Sequence, residues 1–369
     1  MTETRIHERF IEHRRRINLL DNGQFDVWQR GPDLNVGNTS KSADRWYNHQ
    51  YSLGAGQPSY EVHRDADVPT PAECGAFNEY SMKYQITTPW TATGGDDRFC
   101  GVFQEMFGKE SRELYHPNQF TTLSFWVKAT KAGLYSVSVG ANSSWSSLKQ
   151  YTISSPATWE KKVITFKTPA TLSGGLSYWY WLADAYKVRF NFNTWGPTFN
   201  GSSEDYFSGH SNYGKADETY WGETGGNYMK FAMVQYERGP VASAYDSSTT
   251  EEEQTRCEKH FQKSYAYETN PGTGIGSSEY MCQYLSSATS DSYVYIPFHQ
   301  KFLYQPTVSV YRPDGSLGSS LWYKIAGSPN PHALAGTIYG ITQHGFNINL
   351  GWGDEAYKVA THWIAETGW

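Results

Sequence analysis

For most of its length the chain alternates apolar and polar residues in short runs, and that two-residue period predicts β-strands rather than helices. Asn18 to Tyr47 (NLLDNGQFDVWQRGPDLNVGNTSKSADRWY) opens the series. Its first half sets Leu19 and Leu20 before an Asn22-Gly23 pair and Phe25 and Val27 after it, which is hairpin or strand-entry chemistry. Its second half is a loop of Gly, Pro, Asn, Thr and Ser that closes on Ala43-Asp44-Arg45-Trp46-Tyr47, where an aromatic strand begins. Thr121 to Ala129 sets Leu123, Phe125 and Val127 against Thr122, Ser124, Trp126 and Lys128. It continues through Lys131-Ala132-Gly133 into Tyr135, Val137 and Val139, predicting an antiparallel meander. Trp159 to Thr168 reads as an amphipathic strand with Ile164 and Phe166 on one side, and Lys230 to Gly239 as a later one. Between Thr168 and Tyr228 the chain is irregular and rich in aromatic residues.

Two stretches carry a helical pattern instead. In residues 2–16, Ile6 and Phe10, with Ile17 beyond, share one side of a helix whose remainder is Arg and Glu. A helix this short is marginal alone, so it either packs on another subunit or partner or is a frayed terminus. Near residue 250, Thr250 with Glu253 fits a capping box, three consecutive Glu occupy the first turn, and Cys257 and Phe261 lie four apart on one face. After it the strand pattern resumes at 280–285, 293–298, 307–311, 321–325, 337–341, 346–350 and 357–366, with Arg312-Pro313-Asp314-Gly315 as a strong turn. The expected architecture is all-β: a short helical arm over residues 1–16, a jelly-roll β-sandwich over 17–246, a linker helix over 247–263 and a second antiparallel β-sandwich over 264–369.

Several of these stretches resemble the modules of bacteriophage tail-fibre and receptor-binding proteins. The opening is similar to the pattern N-L-L-x-N-G-x-F-x-x-W-Q-R-G followed by A-D-R-W, and, less closely, to the start of many jelly-roll carbohydrate-binding modules. The succession SFWVKA, GLYSVSV, YTI and WEKKVITF is similar to the central strands of that module. KFAMVQYERG resembles its closing strand, with Ala232-Met233 in place of a Thr-Gly pair. TRCEKHFQKSY is similar to the helix linking two sandwiches in the phage family, and the C-terminal strands match its second half in order. The resemblance implies a virion protein that attaches to the host surface by non-covalent, glycan-directed binding, assembled in the host cytoplasm with other tail or capsid proteins. It also implies a homotrimer, an expectation the aromatic excess supports.

Composition narrows the classes. The chain has 369 residues, enough for two domains, and a net charge of -6 without a basic face for nucleic acid. No apolar run is long enough to span a membrane, so no membrane insertion is expected. Residues 1–16 lack the apolar core of a secretory signal, so the protein is expected to stay inside the producing cell until something releases it. Cys74, Cys100, Cys257 and Cys282 are widely separated and read as inert thiols rather than a zinc site or a disulfide framework. The 14 Trp, 28 Tyr, 18 Phe and 34 Gly, against 18% charged residues, suit β-sandwiches that meet glycans or other proteins.

No nucleophile elbow, His-Glu-x-x-His or phosphate loop occurs, so no enzyme is expected. Asp96 and Asp97, Glu204 and Asp205, and Asp354 and Glu355 are acidic pairs in loops, read as surface charge rather than as a glycosidase pair. Aromatic rings among small polar residues are the better candidates, because a sugar stacks its apolar face on a ring while its hydroxyls need amides and carboxylates nearby. These are Trp145, Trp195, Tyr206, Trp221 and, in the second sandwich, Trp352. In Ser177 to Leu182 (SYWYWL) one pair of rings is core and the other a platform or a subunit contact. Ile6 and Phe10 are the candidate virion-docking residues. No metal or organic cofactor is expected, except that the resemblance to carbohydrate-binding jelly rolls allows one structural calcium near the first strand through a carboxylate such as Asp26. Two rival readings stand beside host attachment: a purely structural virion component (tail collar, baseplate or head decoration), and a surface-polysaccharide depolymerase.

Overall fold

The computed structural model describes residues 17–36, 41–52, 59–89, 98–106, 114, 116–141, 145–168, 186–195, 207–208, 214–215, 217–274, 281–285, 293–312, 314–317, 320–325, 332–335, 337–349 and 357–367. The protein is all-β, and its chain divides into two compact units. The first takes in 1–24, 35–40 and 46–248, and the second 25–34, 41–45 and 249–369. The opening stretch is therefore shared: Phe25–Leu34 and Lys41–Arg45 group with the C-terminal residues, a division the strand pattern did not anticipate.

The first unit contains β1 (Asp33–Val36, only its second half in this unit), β2 (Trp46–Ser52), β3 (Ser59–Asp65), the short helix α1 (Pro71–Cys74), β4 (Ser81–Thr88), β5 (Arg98–Met106), β6 (Phe120–Ala129) and β7 (Gly133–Ala141). It continues with β8 (Trp145–Ile153), β9 (Glu160–Lys167), β10 (Tyr186–Trp195), β11 (Phe207–Ser208) and β12 (Tyr228–Arg238). One six-stranded sheet runs β1-β3-β4-β12-β6-β9 and the other β11-β8-β7-β10-β5-β2, each neighbouring pair described being antiparallel. Alternation decides which faces meet. Phe125 of β6, Phe231 of β12 and Phe190 of β10 point inward from opposite sheets, with ring centroids 4.9 Å apart for Phe125 and Phe190 and 4.7 Å for Phe190 and Phe231.

Two expectations are corrected here. β6 and β7 are consecutive but do not form a meander: β6 pairs with β12 and β9, and β7 with β8 and β10 in the opposite sheet. The Asn22-Gly23 stretch is a buried turn rather than a hairpin. Asn22 has φ 51°, the Leu19 amide donates to the Tyr236 carbonyl at 2.8 Å, and Asn18 bridges Val234 and Tyr236 across an irregularity in β12 between Ala232 and Gln235.

The register of the first sheet places Lys83, Lys230 and Lys128 opposite one another across β4, β12 and β6. Like charges so placed repel, and the turn after β3 supplies the compensation. Asp67 accepts from Lys128 and Lys230 at 2.8 Å each and from the Trp159 indole at 3.1 Å, and Asp65 lies 3.0 Å from Lys230. Burial alone would raise the Asp67 carboxyl, but those hydrogen bonds outweigh it and hold it down at about 2.

The second unit contains α2 (Thr250–Cys257), β13 (Phe261–Lys263), β14 (Met281–Leu285), β15 (Tyr293–Pro297), β16 (Thr307–Tyr311), β17 (Ser320–Ile325), β18 (His332–Ala335), β19 (Thr337–Tyr339), β20 (Gly345–Asn349) and β21 (Tyr357–Glu366). The capping box falls one residue earlier than expected, on Thr249 and Glu252. The helix ends at Cys257, so Phe261 belongs to β13 and not to a helix face. β21 is the spine, pairing with β13, β14, β16 and β17, while β15-β20-β19 form a separate three-stranded sheet. Their apolar faces close a core of Ile296, Phe298, Val308, Phe346, Ile348 and Trp363. In this unit the opening motif is buried: Asp44 accepts from the Gln29 amide at 2.6 Å and faces Arg30 at 3.5 Å, and Arg30 lies 3.6 Å over the Phe261 ring. Burial raises Asp44, partly offset by Arg30, and lowers Lys263 to about 8.

Candidate functional site

The second sheet of the first unit has two chemically different faces. Val102 of β5, Val137 and Val139 of β7, and Val188 and Phe190 of β10 are buried in the core. The alternate residues, turned away from that core, are Phe103 and Glu105 of β5, Lys187 and Arg189 of β10, and Ser136 and Ser138 of β7. Tyr47, Phe103, Arg189 and Ser138 stand in one row across β2, β5, β10 and β7. Tyr47 stacks on Phe103 with centroids 5.4 Å apart at 16°, and the Lys187 ammonium lies 4.6 Å and the Arg189 guanidinium 5.9 Å from the Phe103 ring. Lys187 is also ion-paired with Glu105.

A descending segment completes the group. Gly133 at the start of β7 has φ 146°, and a Cβ there would lie 1.8 Å from the Thr219 hydroxyl, so the chain approaches β7 closely enough for Leu134 and Thr219 to exchange hydrogen bonds. This docking delivers Asp217 and Glu218. Asp217 accepts from the Gln150 amide at 2.9 Å, and the Glu218 carboxyl accepts from the Lys215 amide at 2.9 Å and hydrogen-bonds the Ser136 side chain. Burial pushes Glu218 up to about 7 despite those bonds, so near neutral pH it exchanges between an acceptor and a donor of hydrogen bonds.

Arg189, Glu105, Ser136 and Ser138 are all buried although they face away from the core. Burying charge costs free energy unless it is compensated, as Lys187 and Glu105 compensate each other here, and a layer of charges and hydroxyls beside an aromatic ledge is the composition of a polar recognition site. Phe103 is buried with them, and the members that keep some exposure, Tyr47, Gln150, Lys187, Asp217 and Glu218, offer a ring face, an amide, a cationic donor and carboxylate acceptors. Among the described residues, no group of three or more His, Cys, Asp or Glu converges where a metal could bind. Asp26, the candidate calcium carboxylate, belongs to the second unit, where its backbone carbonyl accepts from the Tyr267 hydroxyl at 3.3 Å.

The residues predicted from sequence fare differently. Trp221 is corrected: its ring is fully buried at 0% exposure and its carbonyl accepts from Asn227 at 2.8 Å, so it packs and does not present a face to ligand. The backbone of Trp145 begins β8, opposite Ala141 and Ser208, and that of Trp195 ends β10, opposite Arg98, while both rings lie outside the described side chains. Tyr206, Trp352, Ile6, Phe10, the SYWYWL stretch and the three acidic loop pairs other than part of their flanks lie outside the described residues. Cys100 and Cys257 are buried and Cys74 is half-buried. Among the described residues no helix is long and apolar enough to cross a membrane.

No protein-family model matches the sequence, and no curated protein matches it. Solved structures do. The enzymatically active domain of tailspike protein 4 of bacteriophage CBA120 aligns at 16% identity and a TM-score of 0.32, over 60% of this chain and 22% of that one. The chain thus spans about a fifth of that tailspike domain. A CBM4 structure aligns at 15% identity and 0.32 over 59% of this chain and 99% of its own, and the CBM22-1 xylan-binding domain of Xyn10C from Paenibacillus barcinonensis at 10% and 0.27 over 61% and 96%.

Proposed function

We propose that this chain is a glycan-binding protein that performs no chemistry on its ligand, and that it serves as a tail-fibre or receptor-binding component of a bacteriophage virion, working as a homotrimer. The observation that carries the reading is the polar layer of Glu105, Lys187, Arg189, Ser136 and Ser138 beside the Tyr47 and Phe103 rings, because a sugar needs both a ring face and a set of fixed hydrogen-bonding groups. The virion assignment rests on the opening motif and the order of the strands after it. The buried groups fix the site and its rim, at Tyr47, Gln150, Asp217 and Glu218, meets the ligand.

Affinity electrophoresis of the full chain through gels containing xylan, galactan, mannan or bacterial lipopolysaccharide tests this. Retardation by at least one polymer, lost in Tyr47→Ala and in Gln150→Ala, is expected, with no release of reducing ends. No retardation in any gel would overturn it. One observation favours a depolymerase instead: Glu218, raised to about 7, has the protonation a general acid needs. Release of reducing ends that Glu218→Gln abolishes would decide for that reading.

A further inference from the structure

The three-stranded sheet of the second unit carries a second surface that the proposal above does not use. Tyr295 of β15, Asn347 of β20 and Tyr339 of β19 stand opposite one another across the sheet, and Asn349 and Thr337 form the next row on the same face. The other face supplies Val294, Ile296, Phe346, Ile348 and Ile338 to the core, so alternation turns the Tyr and Asn residues outward. Tyr295 is 54% exposed and Tyr339 47%. With strands spaced about 4.8 Å apart, the two tyrosines bracket Asn347 over about 10 Å.

Gly345 explains how one ring is held. A Cβ at that position would lie 2.6 Å from the Tyr295 hydroxyl and 2.7 Å from Cζ, so the Tyr295 ring lies down across β20 and its outer face is exposed. The Asn347 amide nitrogen comes 3.0 Å from the Cβ position of Gly340, which directs it toward the end of β19. Among the described side chains on this face none is charged, and the aliphatic one, Pro297, stands at its edge opposite Gly345. A face buried by another subunit would be aliphatic at its centre, and a solvated strand face would carry Lys or Glu. Flat phenol rings separated by amides, each amide both donor and acceptor, match an uncharged ligand with an apolar ring face and many hydroxyls.

We infer that Tyr295, Asn347 and Tyr339 form a second glycan-binding platform, specific for neutral sugars and independent of the site on the first unit. Two sites of separate specificity on one chain strengthen attachment through effective concentration. The test is NMR of the full chain labelled at Tyr and Asn, titrated with cellohexaose, xylohexaose, mannohexaose and galactohexaose. Shifts at Tyr295, Asn347 and Tyr339 with at least one sugar are expected, retained in Tyr47→Ala and lost in Tyr295→Ala/Tyr339→Ala. If that double variant does not fold, Asn347→Ala serves, with at least a tenfold loss of affinity expected. No shift at these residues with any of the four sugars would overturn the inference. So would a concentration-dependent association, seen in sedimentation, that the double variant abolishes, because the face would then belong to a second copy of the chain. Shifts confined to the first unit support the first site alone.

Discussion

Trp221 and Glu218 are neighbours in sequence with opposite fates, one ring fully buried and one carboxyl held at the edge of a polar layer. Trp221→Ala should cost about 3–5 kcal/mol, the range for removing a buried aromatic ring, and urea unfolding measures it. For Glu218 the sign is fixed by its raised folded-state value. Between the ordinary carboxyl value of 4.5 and about 7 the folded chain keeps a proton that the unfolded chain has released, so stability falls as pH rises across that window. Glu218→Gln should flatten that part of the stability profile, whereas an unchanged slope would place the titration elsewhere. The sequence made Trp221 look like a loop ring because Gly and polar residues flank it, and neighbours along the chain do not report neighbours across the fold. Glu218 was invisible for the same reason: the Lys215 amide is a local partner three residues away, but Ser136 and the burial that raises the carboxyl are set by docking onto β7, and no spacing encodes that. Arg189, Glu105 and Lys187 share a face only through strand register, which the sequence leaves open.

At the scale of elements, the strands of the second unit were the most legible part, since alternation placed β16 and β21 at their observed bounds. β13 and β18 were missed, being too short to show a period. The β6–β7 connection misled because a short Lys-Ala-Gly link reads as a hairpin turn, while here it carries the chain between sheets and leaves Gly133 to admit Thr219. The helix start was ambiguous by one residue because Thr249-Thr250 followed by three Glu fits the capping pattern in two registers, and the hydrogen bonds select Thr249 with Glu252. Gly133→Ala should displace Lys215–Trp221 from β7, lowering stability by about 1–3 kcal/mol and weakening glycan retardation together. Retardation unchanged despite the lower stability would remove Asp217 and Glu218 from the site. In the opposite sheet, Asp67→Asn should lower stability in dilute buffer by leaving Lys128 and Lys230 adjacent and poorly compensated, and the loss should shrink as salt screens the pair.

The whole molecule is two all-β units, and the two surfaces proposed to bind sugar differ in character, a charged layer on the first and a neutral phenol and amide ladder on the second. Single shallow sites bind glycans at about -4 to -8 kcal/mol, millimolar to micromolar, so repetition in an oligomer is what makes attachment useful. Light scattering should return a trimer, and a monomer at micromolar concentration would remove that source of strength. The central claim is that the polar layer of the first unit binds glycan, and it stands or falls on one affinity. Calorimetric titration of the wild-type chain and Asp217→Ala with the polysaccharide that retards it most should show the variant at least tenfold weaker, as expected when about 1.5–3 kcal/mol of charge-assisted hydrogen bonding is lost, with a melting temperature within a few degrees of the wild type because Asp217 is exposed. Equal affinity in a folded Asp217→Ala variant would contradict the account.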